Sequence, residues 1–524
     1  MRRKAVLGWG IVAPRSANVE EFAKNLEAGD SWLSPFNGFG KDGFLVGTPS
    51  FDFRDYQPWL EQRFPPSRFN QLKDKMDPTT LYAIGSFIQA LGQNPGIEAE
   101  LSALGSAAHV YVATALGALP TQYGCSVTYY RAQRRWNRFW ADPSRNAALR
   151  DYQAGHAPRP PIEDPRDALD VDQREELEDS WFAYWAERSE QLQVFLAELS
   201  EVESLGVQGD VESGKMRMIR EKRRRLMQLQ ERWGTPQPPW NEVSANVLWN
   251  IANTPSSQIS MLGKITGTVF APVAACSTFS ICLKLALDAI DRGEAKLVVV
   301  GSADPPPHPL TVGGFYNARV LSADGALSKP MSGLKGTHVS GGSAIWIVGD
   351  LEYARSKGFR PLGLEPVAVG VSADADHIIT PSKEGPRCAM QAALAAAHVS
   401  PAELGSWDLH ATATPGDFLE LENLQTVIPK EVAVTARKGT FGHGMGVGGG
   451  WELTAQYLGY QRGHIFPTPL DPEDVHPAIG ELGQNLVYRR AVEFPKRPVG
   501  KLSMGVGGIN ACVISQPWED DVER

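Results

Sequence analysis

Ala274-Ala275-Cys276-Ser277-Thr278-Phe279-Ser280 runs directly into the apolar-periodic stretch Ile281, Leu285 and Ala289, and this spacing predicts a helix entered at Cys276. A cysteine at that position meets unpaired N–H groups and the positive end of a helix dipole, which favour a thiolate and lower the thiol pKa. A nucleophile that attacks thioesters needs such a place; an ordinary packing cysteine is the competing reading. On either side the chain alternates strand-like and helix-like runs. Ala5 to Val12 and His109 to Ala113 read as strands, with helices at Val19 to Ala28 and Leu81 to Leu91. Beyond Ile290 come strands at Lys296 to Val300, Ala344 to Val348, Glu431 to Thr435 and Ala511 to Ser515, with a helix at Arg387 to Ala397. Alternation of this kind predicts parallel sheet covered by helices, an α/β fold.

The chain has 524 residues, more than one ordinary core holds, and roughly 150 residues per domain would make about three units or a duplicated architecture. Its formal charge of -9 and the lack of a nucleic-acid motif speak against nucleic acid as a partner. Five cysteines, with no CxxC and no zinc-ligand spacing, fit a reducing compartment and no metal site, so a cytoplasmic location is expected. The start, Met1-Arg2-Arg3-Lys4 before a short glycine-interrupted apolar run, reads as a first strand and not as a signal peptide. No apolar run approaches the ~20 residues of a membrane span.

From about Gln122 to Pro239 the rhythm changes to charged, Trp- and Arg-rich helix. Trp181, Trp185, Leu192, Leu196 and Leu199 fall on one face of a helix expected over Asp172 to Ser204, and Ile219, Leu226, Leu229 and Trp233 do so in the next. The first carries ten acidic and two basic residues; Glu212 to Trp233 carries eight basic and three acidic. Opposite charge suits two antiparallel helices, a hairpin inserted into the α/β frame. The Arg-rich second helix and the stretch Tyr129 to Trp140 are either paired within the insertion or a surface for an acidic carrier protein.

Two histidines stand where chemistry can use them. Trp407-Asp408-Leu409-His410 ends a strand-like run before the turn Ala411-Thr412-Ala413-Thr414-Pro415-Gly416-Asp417, and Lys438-Gly439-Thr440-Phe441-Gly442-His443 puts the second in a glycine-rich turn. Each alone is more often structural.

These blocks, together with Ser503 to Asn510 and in this order, resemble the signatures of the β-ketoacyl-acyl-carrier-protein synthases of the elongating, Cys-His-His type. Ala5 to Gly29, Asn246 to Gly267 and Leu321 to Ala354 are similar too, so only Gln122 to about Pro239 lies outside. The resemblance implies a thiolase-like five-layer α-β-α-β-α fold of two related halves, here 1–121 with 240–300 and then 301–524, interrupted by the helical hairpin at 122–239. It implies that Cys276 accepts an acyl group while His410 and His443 hold a malonyl thioester carbonyl, so that loss of CO2 leaves an enolate met by two imidazole N–H donors. Lys438 and Glu452 match the pair that orients His443, and the backbone N–H groups of Cys276 and Val506 match the oxyanion hole. Phe279, Thr412, Thr414, Gly505, Gly507 and Gly508 are the expected substrate contacts. The resemblance implies no metal, nucleotide or redox cofactor, phosphopantetheine thioesters on acyl carrier protein or CoA as substrates, and a homodimer.

Departures concern the substrate. Phe279 and Val506 stand where a small residue and a phenylalanine are usual, Gly341 replaces an acidic residue, Ile509 replaces a threonine, and the His410 loop is one residue shorter. Phe279 is expected to shorten the acyl pocket, or else to pack against a helix. Two alternatives stay open: a non-extending malonyl decarboxylase or acyltransferase, and a non-catalytic partner of a heteromeric synthase.

Overall fold

The structure is a computed structural model and describes residues 2–40, 43–378 and 382–518. Residues 1–120 and 248–524 form one compact unit and residues 121–247 a second.

The larger unit is built on two five-stranded sheets. The first contains β1 (Lys4–Val12), β2 (Ala108–Ala113), β3 (Val269–Phe270), β4 (Leu297–Asp304) and β5 (Gly342–Asp350), in the order β1-β5-β4-β2-β3. The second contains β6 (Glu365–Ala373), β7 (Ser406–Asp408), β8 (Ala433–Thr435), β9 (Val499–Gly505) and β10 (Ile509–Gln516), in the order β8-β7-β9-β10-β6. Both are mixed, which corrects the expectation of purely parallel sheet: β5 runs antiparallel to β1 and β4, and β10 antiparallel to β6 and β9. β5 also moves the division between the halves. It lies beyond residue 300 yet hydrogen-bonds in the first sheet, so that sheet's contributors extend to Asp350.

Strands β1, β4 and β5 are buried along their whole length, which is why they read as continuous apolar runs and not as alternation. Helices Thr278–Asp291 and Gly448–Arg462 lie between the sheets, touching strands of both and each other. Pro78–Leu91 and Thr254–Gly263 cover the outer face of the first sheet, and Glu384–Ala397 that of the second. Five layers result, closed by three apolar clusters: one on the outer face of each sheet and one around the helices between them.

The second unit is a five-helix assembly, not a hairpin: Leu119–Trp140, Ala147–Gln153, Val171–Glu187, Glu190–Glu203 and Val211–Trp233. The helix expected over Asp172 to Ser204 breaks at Arg188, where the Ser189 hydroxyl accepts the Leu192 N–H and caps a new helix. Trp181 and Trp185 therefore pack with Ala141 and Leu149, while Leu192, Phe195 and Leu199 pack with Trp136, Trp140 and Leu229. Part of the acidic charge is met by the basic helix, through Lys222–Glu203 at 3.1 Å and Arg232–Glu198. A further part is met by the Tyr129 to Trp140 stretch, through Arg134–Asp179 at 2.6 Å and Arg138–Glu178 at 2.8 Å.

Candidate active site

Cys276 lies in a single helical turn, Ala275–Ser277, that leads into the Thr278–Asp291 helix. Ala275 holds a φ of 47°, a left-handed conformation that a β-carbon disfavours, so the turn before the thiol is strained. The strain aims the side chain into a cavity of about 130 Å3 lined by Cys276, His410, His443, Thr412, Gly505 and Val506, with Thr414 and Gly508 also on its wall.

The two histidines arrive from different elements. His410 follows β7 by two residues, and His443 follows the short helix Lys438–Phe441. Their ring centroids are 5.3 Å apart, the planes meet at 83°, and both rings line this cavity. Burial is the main influence on each ring. With the positive charge of Lys438 it holds both imidazoles well below the usual histidine range, and hence neutral. Nδ1 of His443 is buried without a hydrogen-bond partner.

The thiol corrects the sequence expectation. Burial pushes Cys276 up to about 11, outweighing the Val506 N–H, the Lys438 charge and its own N–H, all of which favour the thiolate. The helix end is present, but desolvation of a buried sulfur anion costs more. The Val506 N–H and the Cys276 N–H nevertheless both favour the sulfur anion.

Behind the imidazoles the Lys438 ammonium donates to the His410 carbonyl and to Glu452 Oε1, the latter at 2.7 Å. Both side chains are almost fully buried. The loop after His410 is held by two carboxylates to which the sequence reading assigned no role. Glu420 accepts the N–H groups of His410 and Ala411, each at 2.7 Å, and Asp417 accepts those of Thr412 at 2.8 Å and Ala413 at 3.1 Å. Burial pushes Glu420 up to about 7 and Asp417 to about 6. Their spacing, i and i+3 at the start of a helix just past a catalytic-type turn, was the available signal; Asp417 read only as a turn residue. Lys501, Asp408 and Arg437 complete the buried charge and were also missed, because charged residues in or just after a strand carry no local mark of an ion pair.

Gly505 and Gly508 reach the cavity, whereas Gly507 does not line it. Its N–H donates to the Ile378 carbonyl at 2.7 Å, and its φ of 91° suits glycine. Gly341 has no room for the usual acidic side chain, since a Cβ there would lie 1.9 Å from the Pro305 carbonyl oxygen.

Phe279 is a second correction. It is fully buried, it does not line the cavity, and its ring meets Trp346 edge-on at 5.2 Å. A Cβ on Gly450 would come within 2.5 Å of Phe279 Cδ2, so the ring occupies space that any side chain at 450 would need. It belongs to the core between the sheets. Phe279→Ala is expected to lower unfolding stability by about 3–5 kcal/mol without widening the range of acyl chains loaded. Denaturant unfolding beside a chain-length loading series checks this; a wider range at unchanged stability would return the ring to the pocket wall.

Comparison with known proteins fits this arrangement. The solved "ishigamide ketosynthase/chain length factor" aligns over 99% of this chain and 100% of its own at a TM-score of 0.67 and 19% identity. A β-ketoacyl synthase from Burkholderia phymatum STM815 aligns at 0.66 and 18%, again over 99% and 100%. The fold is thus the thiolase-like fold of the ketosynthases. Residues 220–354 match the family model "Beta-ketoacyl synthase, N-terminal domain" and 365–469 match "Beta-ketoacyl synthase, C-terminal domain". Over these residues the chain is similar to the β-ketoacyl synthase family. Among curated relatives, 3-oxoacyl-[acyl-carrier-protein] synthase 2 of Rhizobium meliloti (strain 1021) is 28% identical over 50% of this chain and 64% of its own. The protein of that name in Staphylococcus aureus (strain COL) is 28% identical over 51% and 66%, and nodulation protein E of Rhizobium meliloti 29% over 49% and 63%. The chain thus spans just under two thirds of the length of these relatives.

Proposed function

We propose that the protein is a β-ketoacyl synthase, an acyltransferase that condenses an acyl thioester with a malonyl thioester on acyl carrier protein in fatty acid or polyketide synthesis. The convergence of Cys276, His410 and His443 on one cavity carries this reading. Cys276 attacks the incoming thioester, its oxygen is met by the Cys276 and Val506 N–H groups, and the thiol proton leaves with the released carrier thiol. Malonyl thioester then enters, and its carbonyl accepts the two neutral imidazole N–H groups. The C–C bond to the carboxylate breaks, and the electron pair becomes an enolate that these donors stabilise. The enolate carbon attacks the acyl-Cys276 carbonyl, the C–S bond breaks, and one proton from solvent restores the thiol. No redox equivalent or nucleotide is needed for the balance. Neutral imidazoles suit the task, because donors that carry no charge are tolerated in a dry site.

The acyl chain is assigned to the apolar pocket formed by Leu116, Leu119, Leu310, Phe315 and Ala318, which shares Phe315, Val320 and Val506 with the active-site cavity. A homodimer in the cytoplasm is part of the same reading. It is supported by the edge strand β3, beside which Phe270 and Val273 are exposed, an unpaired edge of the kind a second copy covers. Among the described residues no helix is long and apolar enough to cross a membrane.

The test is incubation of the protein with malonyl carrier protein and a panel of acyl thioesters, with light scattering of the same sample. An acyl adduct on Cys276, CO2 and a β-ketoacyl product are expected, at dimer mass. CO2 without product would make it a decarboxylase, absence of an adduct would make it a scaffold subunit, and monomer mass would remove the dimer.

A further inference from the structure

Under the imidazoles, Arg437, Lys438 and Lys501 share a buried cluster with Asp408 and Glu452, every side chain at most 2% exposed. The resemblance gives Lys438 and Glu452 the task of orienting His443; Lys501 is left over. An ammonium group this deep costs several kcal/mol unless its partners hold it, so its place in the fold asks for a reason. Lys501 sits on β9, the neighbour of β7, and so lies beside the strand that leads to His410. Its Nζ is 2.7 Å from Glu452 Oε2 and 3.7 Å from Asp408 Oδ1, and it donates to the carbonyls of Leu409 at 3.2 Å and Leu502 at 2.5 Å.

The arrangement mirrors that of Lys438. One ammonium holds Oε1 of Glu452 and the carbonyl of His410; the other holds Oε2 of the same carboxylate and the carbonyl of Leu409. The two carbonyls are consecutive, and between them lies the peptide that carries the imidazole. We infer that Lys501 is a second positioning residue for the His410–His443 pair, acting with Lys438 through the shared Glu452 carboxylate, and this inference rests on the decarboxylative reading above.

Electrostatics point the same way. After burial and Lys438, Lys501 is among the charges that hold both imidazoles down, with His443 itself acting further on His410. Burial pulls the Lys501 ammonium down, but Glu452 and Asp408 outweigh it and leave it raised, so the charge is permanent. Arg437, paired to Asp408 at 3.1 Å, Glu420 and Asp417 under the loop, and the Cys276 thiol are the other ionisable groups around the pair. Removing Lys501 deletes one repelling cation and leaves Glu452 and Asp408 less neutralised; both changes favour imidazolium. A protonated imidazole still donates, but its charge must then be buried, and the geometry set for a neutral donor is lost.

The test compares wild type with Lys501→Met, Lys501→Arg and Lys501→Met/Asp408→Asn, the last keeping the buried charge balanced should the single variant fail to fold. Histidine NMR titration between pH 5 and 9 reads His410 and His443 without any turnover. In wild type both rings are expected to stay neutral throughout. In Lys501→Met at least one midpoint should rise by about one unit or more. CO2 release from malonyl carrier protein should fall about tenfold or more, acyl loading of Cys276 by less than about threefold, and Lys501→Arg should recover part of the loss. An unchanged titration in a folded Lys501→Met, or in the double variant, overturns the inference. So does a shifted titration with CO2 release intact. If wild type releases no CO2 while the imidazoles still respond to Lys501, the decarboxylative reading fails and the positioning role stands.

Discussion

Replacing Cys276 by alanine is expected to abolish acyl transfer and condensation, a loss of at least about 1,000-fold, while CO2 release from malonyl carrier protein persists within about tenfold of wild type. The thiol is needed to hold the acyl group, whereas the enolate is met by His410 and His443, which the substitution leaves in place. His443→Ala should show the converse, a drop in CO2 release of about 100- to 1,000-fold, the usual cost of one preorganised donor. Product analysis by mass spectrometry with a CO2 assay decides; parallel loss of both steps in Cys276→Ala would show that the two are not separable. The thiol also makes a pH prediction. With Cys276 pushed up to about 11, only about one molecule in 10,000 carries a thiolate at pH 7. Alkylation of Cys276 by a small haloacetamide should therefore climb about tenfold per pH unit from 7 to 10 without levelling. A plateau below pH 9 would mean that substrate-free protein already stabilises the anion.

The second large effect concerns stability. Lys438→Met leaves Glu452 and the His410 carbonyl short of a buried donor, and Glu452→Gln leaves Lys438 short of its counter-ion. Each single change is expected to cost about 3–5 kcal/mol, because it unbalances the charge of a site without water, even with Lys501 still beside position 452. The double variant should cost less than the two added together, with a coupling of about 1–3 kcal/mol. Denaturant unfolding of the four proteins measures the cycle. Additive costs would mean that the 2.7 Å contact contributes nothing beyond two independent positions.

How much of this was visible in the chain depends on whether a feature is local. Cys276, the two histidines and Lys438 are legible, because each sits in a turn or at an element end whose residue types are set by nearby backbone needs, whereas Glu452, inside a helix, came only through the resemblance. The strands of the first sheet are legible for a related reason: buried on both faces, they must be apolar throughout. The three-residue β7 and β8 were legible in the runs Trp407 to His410 and Glu431 to Thr435, whereas β6 and β9 went unread despite their length.

What three-dimensional packing decided is the balance of opposing terms at single atoms. The sequence by itself determined that Cys276 stands at a helix entrance. Whether its thiol is easy or hard to ionise was left to burial, which overrode the helix end. Likewise Phe279 is a large ring beside the nucleophile in the chain, but its rotamer carries it to Trp346 and Gly450 and away from the cavity. Lys501, Asp408 and Glu420 look like ordinary charged residues until distant strands and helices bring them together out of water. Desolvation and convergence depend on everything around an atom, and no window of sequence contains that surrounding.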